Sequence, residues 1–175
     1  MTKKFFSVFI ILFGITTYSQ NNLDIFDISR KGTVEEARKI LQSNPNAFDV
    51  LNADGYSPLI LACYKSNNEV AKFLIENGSN INIKTAMGTP LMACVVKGNN
   101  EIAKILIQKK AAVNEIDANG TSAIIYCAMF KNYEIAALLM RAKANPEAKD
   151  NRNNSALDYA FLADDDKLIQ ILKIK

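Results

Sequence analysis

Nine residues of this chain are written twice: NNEVAKFLI, Asn67 to Ile75, returns 32 residues later as NNEIAKILI, Asn99 to Ile107. Self-similarity at a fixed period constrains a fold more tightly than local propensity, because it means that one supersecondary unit has been copied. The likeness extends on both sides, pairing SPLILACYKSNNE with TPLMACVVKGNNE and ENGSNIN with QKKAAVN. A further copy, SAIIYCAMFKNYEIAALLMRAKANP, lies 33 residues on, and SALDYAFLADDDKLIQILKIK another 33. Upstream, DIFDISRKGTVEEARKILQSNPNAF matches at an offset of 34. Five units, approximately 24–52, 53–84, 85–117, 118–150 and 151–175, therefore account for nearly everything after residue 20.

Every unit has the same anatomy. Ser57-Pro58 and Thr89-Pro90 place a hydroxyl N-cap before a proline at the first helical position, where the missing N–H costs nothing. A short apolar helix follows, then a polar break such as KSNN or KGNN, then a second helix. Val70, Phe73 and Leu74 form an i, i+3, i+4 stripe on that second helix. Ile102, Ile105 and Leu106 repeat the stripe, as do Ile135, Leu138 and Leu139, then Leu168, Ile171 and Leu172. Ala71, Ala103 and Ala136 share one register and suit close helix approach. Asp54-Gly55, Met87-Gly88, Asn119-Gly120 and Asn153-Asn154 supply turns between units, mostly with residues that tolerate positive φ.

One helix pair of this kind cannot bury its own apolar face, so the units must stack into an all-α solenoid stabilised by nearest-neighbour interfaces. The period near 33, the S/T-P-L opening, the glutamate of the second helix (Glu69, Glu101, Glu134) and the closing NGSNIN resemble ankyrin repeats. The T-P-L-H-x-A signature of that family is matched except at its histidine, and the resemblance covers roughly residues 24 to 175. It implies about five helix-turn-helix units and a domain over residues 20–175.

Departures from the pattern mark individual units. Ala123 and Ala156 replace the proline in units four and five. The left-handed helix end that Gly78 suits holds Lys110, Lys143 and, in unit one, Asn44. A non-glycine residue in that conformation costs on the order of 1 kcal/mol, so units three and four are expected to be weaker. Unit one carries Glu36 and Lys39 where inner units bury Val70 and Phe73, and Asp158, Asp164, Asp165 and Asp166 make unit five polar. Both ends thus look like caps, and five units the whole array.

The N-terminus reads differently. Lys3 and Lys4, the apolar run Phe5 to Ile15, and the small residues Thr17 and Ser19 have the order of a secretory signal peptide, residues 1–19. The run is too short for the ~20 residues of a spanning helix, so no stable membrane insertion is expected after cleavage. The mature product would be exported: periplasmic in a Gram-negative bacterium, otherwise secreted. Without Lys3 and Lys4 the charge balance is 19 basic to 18 acidic residues, which gives no electrostatic case for nucleic acid or an anionic membrane.

Histidine is absent, which removes the commonest general base and metal ligand. Zinc would need cysteines alone, in practice four, and there are three. Asp164 to Asp166 read as solvated residues at a helix N-terminus rather than a cation site. Asn77-Gly78-Ser79, Asn119-Gly120-Thr121 and Asn153-Asn154-Ser155 match a glycosylation sequon but sit where turns want such residues. Cys94 and Cys127 share a register and Cys63 lies one residue further along its helix. Helices ~8–10 Å apart are beyond bridging distance, so buried free thiols are expected. Neither catalysis nor a cofactor is expected.

The resemblance further implies that the residue after the paired small positions of each first helix faces the concave groove and is usually basic. Here that column reads Arg30, Tyr64, Val96, Met129 and Leu162, with Phe130 adjoining. Lys31, Lys65, Lys97 and Lys131 run beside it, the last one step out of column. Apolar side chains rimmed by lysines describe a protein-binding patch. Tyr64, Lys65, Val96, Lys97, Met129 and Phe130 are accordingly the expected partner-binding residues of a monomeric module that takes a protein partner. Were they core instead, binding would move to the turn tips near Asn52, Lys84, Ile116 and Lys149. The rival expectation, a small-ligand binder or enzyme, calls for an enclosed pocket with converging polar groups. Export is the most direct consequence to check. Intact mass of the protein from its native host is expected to place the first residue at Gln20, and a chain retaining Phe5 to Ile15 contradicts it.

Overall fold

The computed structural model describes residues 24–173, so the signal-peptide expectation over residues 1–19 lies outside the described residues. Within them the chain forms ten α-helices in five pairs. The pairs are α1 (Ile25–Lys31) with α2 (Val34–Ser43), α3 (Pro58–Lys65) with α4 (Asn68–Glu76), and α5 (Pro90–Lys97) with α6 (Asn100–Gln108). After them come α7 (Ala123–Met129) with α8 (Tyr133–Arg141), and α9 (Ala156–Leu162) with α10 (Asp166–Leu172). Odd-numbered helices pack on one another in order and form an inner layer; even-numbered helices form an outer layer. One continuous apolar core runs from Ile25 to Leu172. This is the all-α solenoid that the repeat demanded.

The helices start where the hydroxyl caps stand. Ser57 accepts from the Ile60 amide and Thr89 from the Met92 amide, each with proline at the first helical position. Thr33 with Glu36 and Ser155 with Asp158 make reciprocal capping boxes, so Glu36 and Asp158 act at helix starts as well as making the ends polar. Ser122 is the exception: its hydroxyl is buried without a partner, and α7 has no side-chain cap.

Burial follows the expected stripes with one gradation. Val70, Phe73 and Leu74 are all buried, but Ile105, Leu138 and Ile171 are only half-buried, while their stripe partners are fully inside. Ala71, Ala103 and Ala136 are completely buried. In the inner layer Ala62, Cys63, Cys94, Cys127 and Ala160 are inaccessible, small side chains that suit close approach of the inner helices. All three cysteines are free and buried. Burial pushes the Cys94 thiol well up from its ordinary value, the Cys63 thiol beside it adds to the shift, and burial alone raises Cys127. Such thiols are small core hydrophobes, not nucleophiles.

Left-handed helix ends occur at Gly78, Lys110 and Lys143 (φ 93°, 65° and 64°), but not at Asn44 (φ −146°). The reason is local: Asn44 precedes Pro45, whose ring disfavours helical geometry in the preceding residue and holds it extended. Turn tips carry their positive φ at Gly55, Gly88, Gly120 and Asn153. At Gly120 a side chain would also collide with the next unit, since a Cβ there would lie 3.0 Å from the Asn151 backbone nitrogen. That closeness reflects pairing between successive tips. The Ala118 amide donates to the Ala86 carbonyl (3.1 Å) and the Asn151 amide to the Asn119 carbonyl (3.0 Å).

Candidate binding face

Two surfaces of the stack carry the polar chemistry, and they use it differently. On the outer side the junctions between units are closed by asparagine. Asn99 caps α6 by accepting from the Ile102 amide, and its Nδ2 donates back to Asn68 Oδ1 (2.8 Å) and the Cys63 carbonyl (3.4 Å). Asn132 repeats this one unit later, accepting from Ile135 and donating to Asn100 Oδ1 (2.7 Å). Asn67 reaches back to the carbonyls of Gly32 and Ile28. In the last unit Asp165 takes the position; having no donor, it receives one from the Tyr133 hydroxyl (3.0 Å).

Charges join the same ladder. Lys72 bridges Glu69 (3.0 Å) and Glu101 of the next unit (2.6 Å), and Lys104 pairs with Glu134 (2.5 Å). Asn68 and Asn100 donate to the same two inter-unit carboxylates. These partners hold the Glu101 and Glu134 carboxyls below their usual range and push Lys72 up to about 12. At Glu101 and Glu134 the repeated second-helix glutamate is therefore an inter-unit tie, while Glu69 pairs within its own helix.

The inner helices present the expected binding residues at their C-terminal ends. Tyr64 is 38% exposed, Met129 41% and Phe130 53%, whereas Val96 is half-buried. Lys65 and Lys97, from successive units, both lie over the Tyr64 ring, at 5.7 and 4.7 Å from its centroid. Phe130 stacks on Tyr126 with centroids 6.1 Å apart. The column is not one strip. Val96, Lys97 and Phe130 line an open trough of about 480 Å³ with Lys131, Asn132 and Tyr133. Met129 points into a separate cleft of about 240 Å³ beside Tyr126, Tyr159, Asn151 and Arg152.

That cleft contains residues that the column did not include. The Tyr126 hydroxyl donates to Asp117 (2.6 Å) and the Tyr159 hydroxyl to Asp150 (2.7 Å), the same nine-residue bond in two successive units. Each aspartate also organises its turn, accepting from Asn119 and Thr121 amides at Asp117 and from Arg152 and Asn154 amides at Asp150. Burial pushes Asp150 up, but those amides, the tyrosine hydroxyl and the Arg152 charge outweigh it and leave the carboxyl below its usual value. Burial and the Asp117 carboxylate raise Tyr126 to about 12. The aspartates are thus committed to holding hairpins against inner helices. The cleft is smaller than the ~300 Å³ at which ligand pockets begin. Among the described residues no cluster of metal-ligating side chains forms, and no helix is long and apolar enough to cross a membrane.

Fold and face together define an open repeat array whose polar groups serve its own joints. The family described as ankyrin repeats (3 copies) matches residues 25–117 and 79–150, and the chain belongs to that family. Membership implies a protein–protein interaction module. The chain is 40% identical over 48 residues to an acyl-CoA-binding domain-containing protein 6 homolog of Dictyostelium discoideum, covering 27% of this chain and 17% of that protein. It is also 38% identical over 40 residues to a protein fem-1 homolog A-like of Mus musculus, covering 23% of this chain and 6% of that protein. It spans only a small part of either relative.

The Tyr126–Asp117 bond has a pH signature. A folded-state pKa of about 12 against an ordinary 10.0 means that the stabilisation is complete below pH 10 and lost as pH rises through 12. Tyr126→Phe is expected to lower the unfolding free energy measured in urea at pH 7 by roughly 1.5–3 kcal/mol, the range for a hydrogen bond to a charged group. The gap from the parent should then close between pH 10 and 12; a gap that widens over that range contradicts the assignment.

Proposed function

We propose that this chain is an exported, non-enzymatic interaction module that holds a partner protein against Tyr64, Val96, Met129 and Phe130, with Lys65 and Lys97 at the rim. One observation carries the reading: the aromatic and sulfur-bearing side chains at the ends of the inner helices are exposed, although the core is complete without them. Large apolar side chains grouped at the surface lower solubility unless something covers them. Family membership supports a protein as the covering agent, and the order of residues 1–19 supports export. Two roles fit such a face: an accessory or protective subunit of an exported enzyme, or a protein that neutralises a toxin. They separate by whether the bound partner's activity is sustained or blocked.

Truncating a central aromatic anchor costs ~2 kcal/mol or more of binding, about 30-fold in affinity. Tyr64→Ala combined with Phe130→Ala is therefore expected to abolish recovery of the native partner from host extract, while the melting midpoint and helical circular dichroism stay nearly unchanged. A marked fall in the midpoint would make these side chains part of the core and move the face to the turn tips near Asn52, Lys84, Ile116 and Lys149.

A further inference from the structure

The outer layer of the stack is closed unevenly. In unit two Phe73 is buried, with the Phe48 ring edge-on at 6.0 Å and the Arg38 guanidinium 5.1 Å from its centroid. Unit four has Leu138 in that register, and Ala137 where Lys72 and Lys104 stand in units two and three. Ala111, Ala112 and Ala142 add little bulk nearby, and Ile107 and Leu138 are left half-buried. The result is a groove between α6 and α8. It measures about 360 Å³ along the helices and about 520 Å³ toward the loop after α6, and Ile107, Gln108, Leu138 and Arg141 line both stretches.

The rim of this groove is cationic. Arg141 lines its whole length and Lys110 its loop end. Both are exposed, and neither has a carboxylate within 4.0 Å among the described residues. Lys104 and Glu134 also line the groove but are paired with each other, and Asn100 donates to the second Glu134 oxygen. Lys110 occupies a left-handed turn (φ 65°) where unit two has Gly78, so its ammonium is not what the turn selects.

This chemistry narrows the occupant. The walls are aliphatic and carry no aromatic ring on which a base could stack, which disfavours nucleic acid. The groove is open along its length, unlike the concave pockets that enclose most of a small ligand. Open apolar grooves instead take the anchoring side chains of a partner segment. Unpaired cations at the rim favour carboxylates beside those anchors.

We infer that the groove is a second docking surface, on the outer layer of the stack, for an acidic segment of a partner protein. An aliphatic side chain of the segment seats between Ile107 and Leu138, and flanking carboxylates pair with Arg141 and Lys110. This surface is separate from Tyr64 and Phe130 and does not depend on them.

The test is selection of a random-peptide phage library on the purified chain, followed by fluorescence anisotropy with the enriched peptides. These are expected to combine leucine, isoleucine or methionine with flanking aspartate or glutamate. Their affinity should fall at least about tenfold in Arg141→Gln and in Lys110→Gly, and should weaken in rising salt. Lys110→Gly is also expected to raise the urea midpoint, since glycine suits that backbone, and weaker binding by a more stable protein cannot come from misfolding. Lys143→Gly relaxes the same conformation (φ 64°) at a residue that does not line the groove, and should bind as the parent does. Tyr64→Ala with Phe130→Ala should also leave peptide binding unchanged. Enrichment without acidic residues, parental affinity in Arg141→Gln, an equal loss in Lys143→Gly, or loss of binding in the Tyr64 and Phe130 variant overturns the inference. So does binding of dodecanoate at this groove more tightly than any enriched peptide.

Discussion

Each joint of this molecule turns on one side chain that belongs to two units at once. The residue before each outer helix from unit two onward is Asn67, Asn99, Asn132 or Asp165, and each is bonded across to the unit before it. From Asn99 on, the same side chain also caps its own helix. A helix pair of seven to ten residues per helix is too short to persist alone in water. The shared cap couples the start of one unit's outer helix to the end of its neighbour's inner helix at Asn99 and to the start of its neighbour's outer helix at Asn132 and Asp165, so ordering one assists the next. Asp165 shows the logic by substitution. A carboxylate cannot donate, and Tyr133 turns its hydroxyl to supply the missing proton.

Once the outer joints consume the asparagines, glutamates and lysines of the second helices, the inner face is left free of structural duty. Asp117 and Asp150 are the inner-face exceptions, pinning hairpins to Tyr126 and Tyr159 in the last two units. What remains exposed is an aromatic and apolar series with a lysine beside most members. The Cys94 and Cys127 thiols contribute nothing reactive, because burial holds them protonated.

Much of this was legible in the sequence because the period exposed it. The Ser-Pro and Thr-Pro caps, the Val70–Phe73–Leu74 stripe and the small residues at Ala71, Ala103 and Ala136 are local patterns whose meaning repetition multiplies. The extended Asn44 was also legible, since Pro45 follows it, but comparison with Gly78 obscured a rule about adjacent residues. The Asp117–Tyr126 and Asp150–Tyr159 pairs recur at one spacing in only two units, so a pattern sought across all five passes over them. The separate directions of Met129 and Phe130 could not be read from the chain. They depend on α7 ending at Met129, which sends its neighbour out of the helix with φ −102°. Likewise, Ile105 and Leu138 fill the same register as Phe73 yet are half-buried, because burial depends on the neighbouring unit's side chains.

The dependence on shared caps is tested most directly at Asn99 by comparing two substitutions in urea unfolding. Asn99→Asp keeps an oxygen to cap α6 but can no longer donate to Asn68 and Cys63, whereas Asn99→Ala loses both functions. If the inter-unit bonds hold the array together, Asn99→Asp already lowers stability by about 1–3 kcal/mol, the cost of leaving buried groups unpaired, and accounts for most of the loss seen in Asn99→Ala. An Asn99→Asp protein as stable as the parent, with Asn99→Ala alone impaired, would reduce this residue to an ordinary helix cap and contradict the account.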